Sequence, residues 1–333
     1  MKKLIFLVLS LTVGVLVIFS VKPSFTDESL LKPHKPIVIS KGEDFTAPGT
    51  GRGCECIKGG SGTPKDPYII ENWDIDASSS LYGIAIKGIG AHFIIRSVKI
   101  HGGSGYTTGI LLQGVENGKI ERTTITDSDL GGIILRQSNK NKLIGNNIRN
   151  SKGPGIHLFR SENNTLEGNT TNDNRIFGFD LEVSNNNILD NNIITGNSNS
   201  GIFLRGTNNR LTKNTIKDNK ENGIDIDTSR NSVLINNTFC GNKNFGIALY
   251  TSNGVVLDGN TVCENGGGGV YFELSSNNEI KNNIIKKNNK QGILIGTGSL
   301  NNRQTNNSVE DKASGKVGKD NSPAGSSSSG KAK

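Results

Sequence analysis

Asp225 and Asp227 stand at alternate positions of the stretch GIDID, residues 223–227. On a β-strand, alternate side chains share a face. The two carboxylates would then stand together on the outer surface while Ile224 and Ile226 turn inward. Neighbouring acids can work on sugar hydroxyls and glycosidic bonds, or they can be plain solubilising charge. The surrounding segments decide whether further chemistry reaches the same face.

Those segments repeat. Gly-aliphatic-x-aliphatic recurs as GIAI at Gly83, GILL at Gly109, GIIL at Gly132, GIHL at Gly155, GFDL at Gly178 and GIFL at Gly201. It continues as GIDI at Gly223, GIAL at Gly246, GVYF at Gly269 and GILI at Gly292, with successive spacings of 26, 23, 23, 23, 23, 22, 23, 23 and 23 residues. Each unit holds a second run of the type NNILDNNI, with Asn146, Asn169, Asn192, Asn214, Asn237, Asn260 and Asn283 at one repeat position. A unit this short cannot bury its own apolar face and must stack on its neighbours. Stacked in register, equivalent strands make parallel sheets with coils about 4.8 Å apart. The expected fold is an all-β, single-stranded solenoid of about ten coils, and the repeated Asn form internal ladders.

The repeat gives every outward residue a neighbour. One outward row reads Ala85, Leu111, Ile134, His157, Asp180, Phe203, Asp225, Ala248, Tyr271, Leu294. The second reads Lys87, Gln113, Arg136, Phe159, Glu182, Arg205, Asp227, Tyr250, Glu273, Gly296. Coils four to nine therefore gather His157, Asp180, Glu182, Arg205, Asp225, Asp227 and Glu273 between the rings of Phe159, Phe203, Tyr250 and Tyr271. Rings beside carboxylates suit a sugar groove, and Asp180 and Asp225, two coils apart, would lie roughly 9–10 Å from each other, close to the upper limit used by inverting glycosidases. Glu182, Arg205 and Asp227 also read as an acid–base–acid ion-pair ladder, and the whole face can be read as a solvated charged sheet. Cys240 and Cys263 share a repeat position, which places their Cα atoms about 5 Å apart, within disulfide range.

The GIxL…SxNNxIxxNxI unit resembles the right-handed parallel β-helix repeat proteins, a group with the pectin-lyase-like fold. It includes carbohydrate-binding and sugar-hydrolase domains and the NosD-like periplasmic proteins. The resemblance covers about residues 83–309, and GSGTPKDPYIIENWDI (60–75) is similar to the opening segment of such domains. It implies a polysaccharide partner, bound and, if the chain is an enzyme, processed by a lyase, hydrolase or uronate epimerase reaction. The catalytic candidates are Asp180, Asp225, Asp227 and His157. Phe159, Glu182, Phe203, Arg205, Tyr250, Tyr271 and Glu273 are the binding candidates. FGFDLE (177–182) matches the Gly-Phe-Asp core of the mannuronan epimerase stretch but lacks its Pro-His. Lyases of this fold use Ca²⁺, for which Asp180, Asp225 and Asp227 offer carboxylates; otherwise no cofactor is expected. A non-catalytic envelope or surface protein is the alternative. A NosD-like copper role would need imidazole or soft ligands, whereas His34, His92, His101 and His157 share no ladder position.

Composition agrees. Of 333 residues 43 are Gly, with 8 Pro; such a chain favours tight turns over helices. The net charge of +8 sits largely at the ends, and no basic stripe interleaved with aromatics points to nucleic acid. Residues 1–21 read as a signal peptide or membrane anchor, the only expected membrane contact, so the chain is exported to the periplasm, cell surface or medium. Residues 22–53 read as a spacer, 54–82 as an N-terminal cap, 83–309 as the solenoid and 310–333 as a disordered tail.

Overall fold

Isoleucine, leucine and asparagine at fixed repeat positions decide the architecture. In one coil Leu181, Leu189 and Ile194 are completely buried, each contributing about 1.5–3 kcal/mol from lost apolar exposure. The same positions in the next coils are Leu204, Leu211 and Ile216, then Ile226, Leu234 and Phe239, all equally buried. The computed structural model describes residues 28–40, 42–45, 54–103 and 105–311. Within them the chain winds as a right-handed parallel β-solenoid of about eleven turns. Its strands form two twelve-stranded sheets and one eleven-stranded sheet around a single apolar core.

Asparagine carries the polar half of the interior. Asn192 donates its backbone N–H to Asn214 Oδ1 at 2.9 Å, and its amide Nδ2 to Leu166 O at 2.9 Å and Asn214 Oδ1 at 2.8 Å. Its own Oδ1 accepts from Asn169 N and Nδ2. Every polar atom of the side chain is satisfied, which is the condition for keeping an amide in a core. Equivalent bonds run from Asn146 through Asn283. A disulfide joins Cys240 and Cys263, whose Cα atoms are 4.5 Å apart on paired strands.

The stretch 22–53 holds more than a spacer. Lys32–His34 pairs in parallel with Trp73–Asp76, and Ile37–Ile39 pairs with Tyr82–Lys87, so two of the three sheets begin there. Beside them the short strand Ile57–Gly59 crosses Tyr68–Glu71 antiparallel, which blunts an otherwise open sheet edge. Cys54 and Cys56 form a second disulfide, and Trp73 Nε1 donates to Cys56 O at 3.1 Å. The segments 1–21 and 312–333 lie outside the described residues.

Candidate functional site

The eleven-stranded sheet carries the site. Its strands Ile156–Phe159, Phe179–Glu182, Ile202–Arg205, Ile224–Asp227, Ile247–Tyr250 and Val270–Glu273 bury their aliphatic residues and turn the alternate ones outward. Register pairs His157 with Asp180, Asp180 with Phe203, Phe203 with Asp225, Asp225 with Ala248 and Ala248 with Tyr271. In the second row Phe159, Glu182 and Arg205 are neighbours, as are Asp227, Tyr250 and Glu273. All eleven candidates thus share one face.

Facing outward does not make them exposed. Ala85, Leu111 and Ile134 are buried and pack with Tyr82 into a small apolar cluster of their own. His157 and Asp180 side chains keep only 19% and 14% of their exposure. Further along the face, the last residue of the turn before a strand leans over the strand of the next coil at two places. Phe177 stacks on Phe203 with centroids 5.1 Å apart, and Phe245 on Tyr271 at 4.9 Å. Tyr250 meets Tyr271 edge-on at 5.9 Å.

Two halves follow. In the first, His157 Nε2 lies 3.7 Å from Asp180 Oδ2 and 3.8 Å from Glu182 Oε2, close enough for charge interaction and too far for a good hydrogen bond. Neither His157 Nε2 nor Asp180 Oδ1 has a hydrogen-bond partner among the described residues. Burial, reinforced by the Glu182 charge and opposed by Arg205, raises Asp180 to about 7. Burial also lowers His157, against the pull of Glu182 and with the push of Arg136. Burial thus favours the uncharged imidazole, and Asp180 can hold or release a proton near neutral pH.

In the second half both oxygens of Asp225 are occupied. Ser200 Oγ donates to Oδ2 at 2.5 Å and Asn222 Nδ2 to Oδ1 at 2.6 Å. Burial raises this carboxyl, but the two donors favour its ionised form. Tyr250, raised by burial and by Asp225, closes one side of a shallow depression of about 460 Å³, and Phe203 and Asn199 line the other parts of its wall. Arg205 Nη2 and Nε reach Asp227 Oδ2 at 2.7 and 3.2 Å, and the guanidinium lies over the Phe203 ring. The expected three-membered ladder is therefore a pair: Arg205 turns to Asp227, while Glu182 faces His157.

Phe177, Ser200, Asn222 and Phe245 belong to the site although outward-row reasoning missed them. They occupy one repeat position, immediately before the repeat glycine, and that column was available as a signal. A side chain there must rise over the sheet, because the glycine that follows packs against the next coil: a Cβ on Gly223 would sit 2.5 Å from Gly246 O.

The family profile described as periplasmic copper-binding protein (NosD) matches residues 82–254, more than half of the chain. The chain belongs to the NosD family. A second profile, right handed beta helix region, matches residues 185–327 of this NosD chain. No curated protein matches it. Among solved structures, the mannuronan C-5 epimerase AlgE6 A-module of Azotobacter vinelandii is similar at 16% identity and TM-score 0.67, covering 84% of each chain. The periplasmic alginate epimerase AlgG is similar at 16% identity and TM-score 0.52, covering 84% of this chain and 85% of that one. The catalytic domain of a GH87 α-1,3-glucanase, solved with nigerose, is similar at 13% identity and TM-score 0.51, covering 72% and 55%. At these identities the likeness is one of fold.

The NosD description names copper, and the described residues do not fit it. Among them no group of three or more His, Cys, Asp or Glu is placed to hold a metal ion, and all four Cys are disulfide-bonded, which removes the thiolates. The periplasmic part of the description agrees with the two disulfides, which persist in oxidising compartments. Among the described residues no helix is long and apolar enough to cross a membrane.

Proposed function

We propose that this NosD-family chain binds an extracellular or periplasmic polysaccharide along the outer face of the eleven-stranded sheet and cleaves it by acid–base catalysis. The carrying observation is the contrast between Asp180, without a hydrogen-bond partner on Oδ1 and raised to about 7, and Asp225, held by two donors. Burial raises both carboxyls, but only Asp225 has donors that favour its ionised form, which suits Asp180 to the acid's role and Asp225 to the base's. Asp180 would protonate the glycosidic oxygen, and Asp225 would activate a water on the opposite face of the ring. Their two-strand separation, roughly 9–10 Å, leaves room for that water and favours inversion at the anomeric carbon. The stacked pairs Phe177–Phe203 and Phe245–Tyr271 offer ring faces to sugar C–H surfaces. The similar folds of two epimerases acting on mannuronan or alginate and of a glucanase support a glycan as the ligand class.

The test incubates the purified protein with alginate, polygalacturonate, neutral glucans and glucosamine polymers, measuring new reducing ends and, by NMR, sugar configuration. New reducing ends of inverted anomeric configuration are expected. Asp180→Asn and Asp225→Asn should each lower the rate by about 10²-fold or more. A change at C-5 without chain cleavage would instead make Asp180 and His157 an epimerase's proton-transfer pair. Binding without turnover would leave a binding module, and no binding to any glycan would leave a surface structural protein.

A further inference from the structure

The outer face of the eleven-stranded sheet changes character towards its N-terminal end. Val38 pairs with Ala85 and so begins the outward row that continues through Leu111 and Ile134. Leu81, Tyr106 and Leu130, from the turns that lead into this sheet, gather with Leu111 and Ile134 around a depression of about 210 Å³. Leu111 and Ile134 are buried, whereas Val38, Leu81, Tyr106 and Leu130 keep 55%, 56%, 70% and 46% of their exposure. Apolar and aromatic side chains left open together at one end of one face mark an interaction surface.

Charge selects the partner. Arg136 is the one charged side chain lining the depression, and no carboxylate or side-chain amide lines it. Lys87, two strands away in the same row, holds its Nζ 4.8 Å from the Tyr82 ring centroid. Asp129, beside Leu130, is buried and satisfied: Oδ2 accepts from Gly105 N at 2.6 Å and Thr107 N at 3.2 Å, and Lys152 Nζ lies 2.7 Å from Oδ1. A second copy docked about a two-fold axis would set these cations against themselves. A glycan would find no carboxylate or amide for its hydroxyls. Open apolar side chains and tyrosines flanked by cations suit the anionic headgroup boundary of a bilayer.

The chain outside the described residues brings that boundary to this end. Glu28 is fixed here, its Oε2 accepting from Lys99 Nζ at 2.8 Å, and Lys99–His101 is the strand that leads into the turn bearing Tyr106. Upstream, Leu4–Val21 is an apolar run of eighteen residues, and only Lys22–Asp27 separate it from Glu28. Six residues reach at most about 22 Å, whereas some eleven turns extend about 50 Å. A membrane entered by Leu4–Val21 therefore lies near the first coils and not the last. We propose that Leu4–Val21 is retained as an anchor and that the patch of Val38, Leu81, Tyr106 and Leu130 rests on the anionic bilayer surface it enters. Contact confined to that end inclines the solenoid and leaves coils four to nine clear of the lipid. The proposal stands apart from the glycan reading.

All four native Cys are disulfide-bonded, so a single introduced thiol can be labelled. The full chain, carrying a fluorophore at Leu81→Cys or, on the last coil, at Leu300→Cys, is reconstituted into phosphatidylcholine vesicles with and without phosphatidylglycerol. Brominated acyl chains serve as the quencher. Quenching at position 81 and none at position 300 is expected, stronger with phosphatidylglycerol and weaker as salt rises. Arg136→Gln should lower the docked-to-free ratio about fivefold in the anionic vesicles. Tyr106→Ser with Leu130→Ser, both at exposed positions, should abolish the quenching and leave the melting temperature unchanged. No quenching at position 81, equal quenching at both positions, or quenching that survives the double substitution overturns the proposal. A position-81 label shielded in detergent by a dimer seen in sedimentation assigns the patch to a second copy, and shielding by added oligosaccharide assigns it to a glycan; either overturns it. Recovery of the chain from an expressing bacterium without residues 1–21 removes the anchor and overturns it as well.

Discussion

Asp180 shows how one buried carboxyl couples stability to pH. Its proton is retained up to about pH 7 when folded and lost near the ordinary 3.8 when unfolded. Between those values the folded state binds more protons, so this group's contribution makes stability fall as pH rises through the window, and it levels off above 7. The full penalty at alkaline pH is up to about 4 kcal/mol. Asp180→Asn, which mimics the protonated acid, should therefore melt with the parent at pH 4 and above it at pH 8. Thermal denaturation at the two pH values checks this, and an equal offset at both would assign the effect to packing. Under the proposed acid role of Asp180, cleavage should slow as pH passes 7, because the acid form disappears. Asp225 behaves differently: Ser200 and Asn222 bind it, so replacing it also disturbs a turn. Ala85, in the same row, is fully buried, so a polar substitution there would disturb packing as well.

At the scale of the element, the asparagine ladder sets coil spacing as firmly as the apolar core does. Asn192 makes three donor bonds and receives two. Asn192→Leu keeps the volume and removes the amide, leaving Leu166 O and the Asn169 donors unpaired inside the solenoid. Each stranded buried group costs about 1–3 kcal/mol, so a loss of about 3 kcal/mol or more is expected in denaturant unfolding. Asn172→Ala, on an exterior position of the strand Thr170–Asn172, should change stability by no more than about 0.5 kcal/mol. If the two variants matched, the ladder would be dispensable. The ladder was legible beforehand because it needs only the repeat spacing. The strands Lys32–His34 and Ile37–Ile39 were not, because they precede the first repeat glycine and find their partners, Trp73–Asp76 and Tyr82–Lys87, some forty residues later.

Over the whole molecule, each coil touches only its neighbours, so stability is close to a sum of coil and interface terms. The Cys240–Cys263 link closes a loop of 23 residues, worth about 3 kcal/mol in the chain-entropy account. Hydrogen exchange should accordingly be slowest in coils near Thr238–Cys240 and Thr261–Cys263 and fastest at the ends. Cys240→Ser with Cys263→Ser should erase that local maximum; an unchanged exchange pattern would show that the bond adds nothing there. The glycine period, the asparagine column and the cysteine pair by themselves determined the solenoid, its register and the shared face of His157, Asp180, Phe203 and Asp225. They could do so because register in a solenoid is one-dimensional and periodic. Only the tertiary structure decided that Arg205 turns to Asp227 and that, among the described residues, Asp180 Oδ1 has no hydrogen-bond partner while Asp225 has two donors. It also decided that the turns bearing Phe177, Ser200, Asn222 and Phe245 roof the face. Those outcomes depend on side-chain direction and on how far a turn leans over the next coil, and neither quantity repeats with the sequence period.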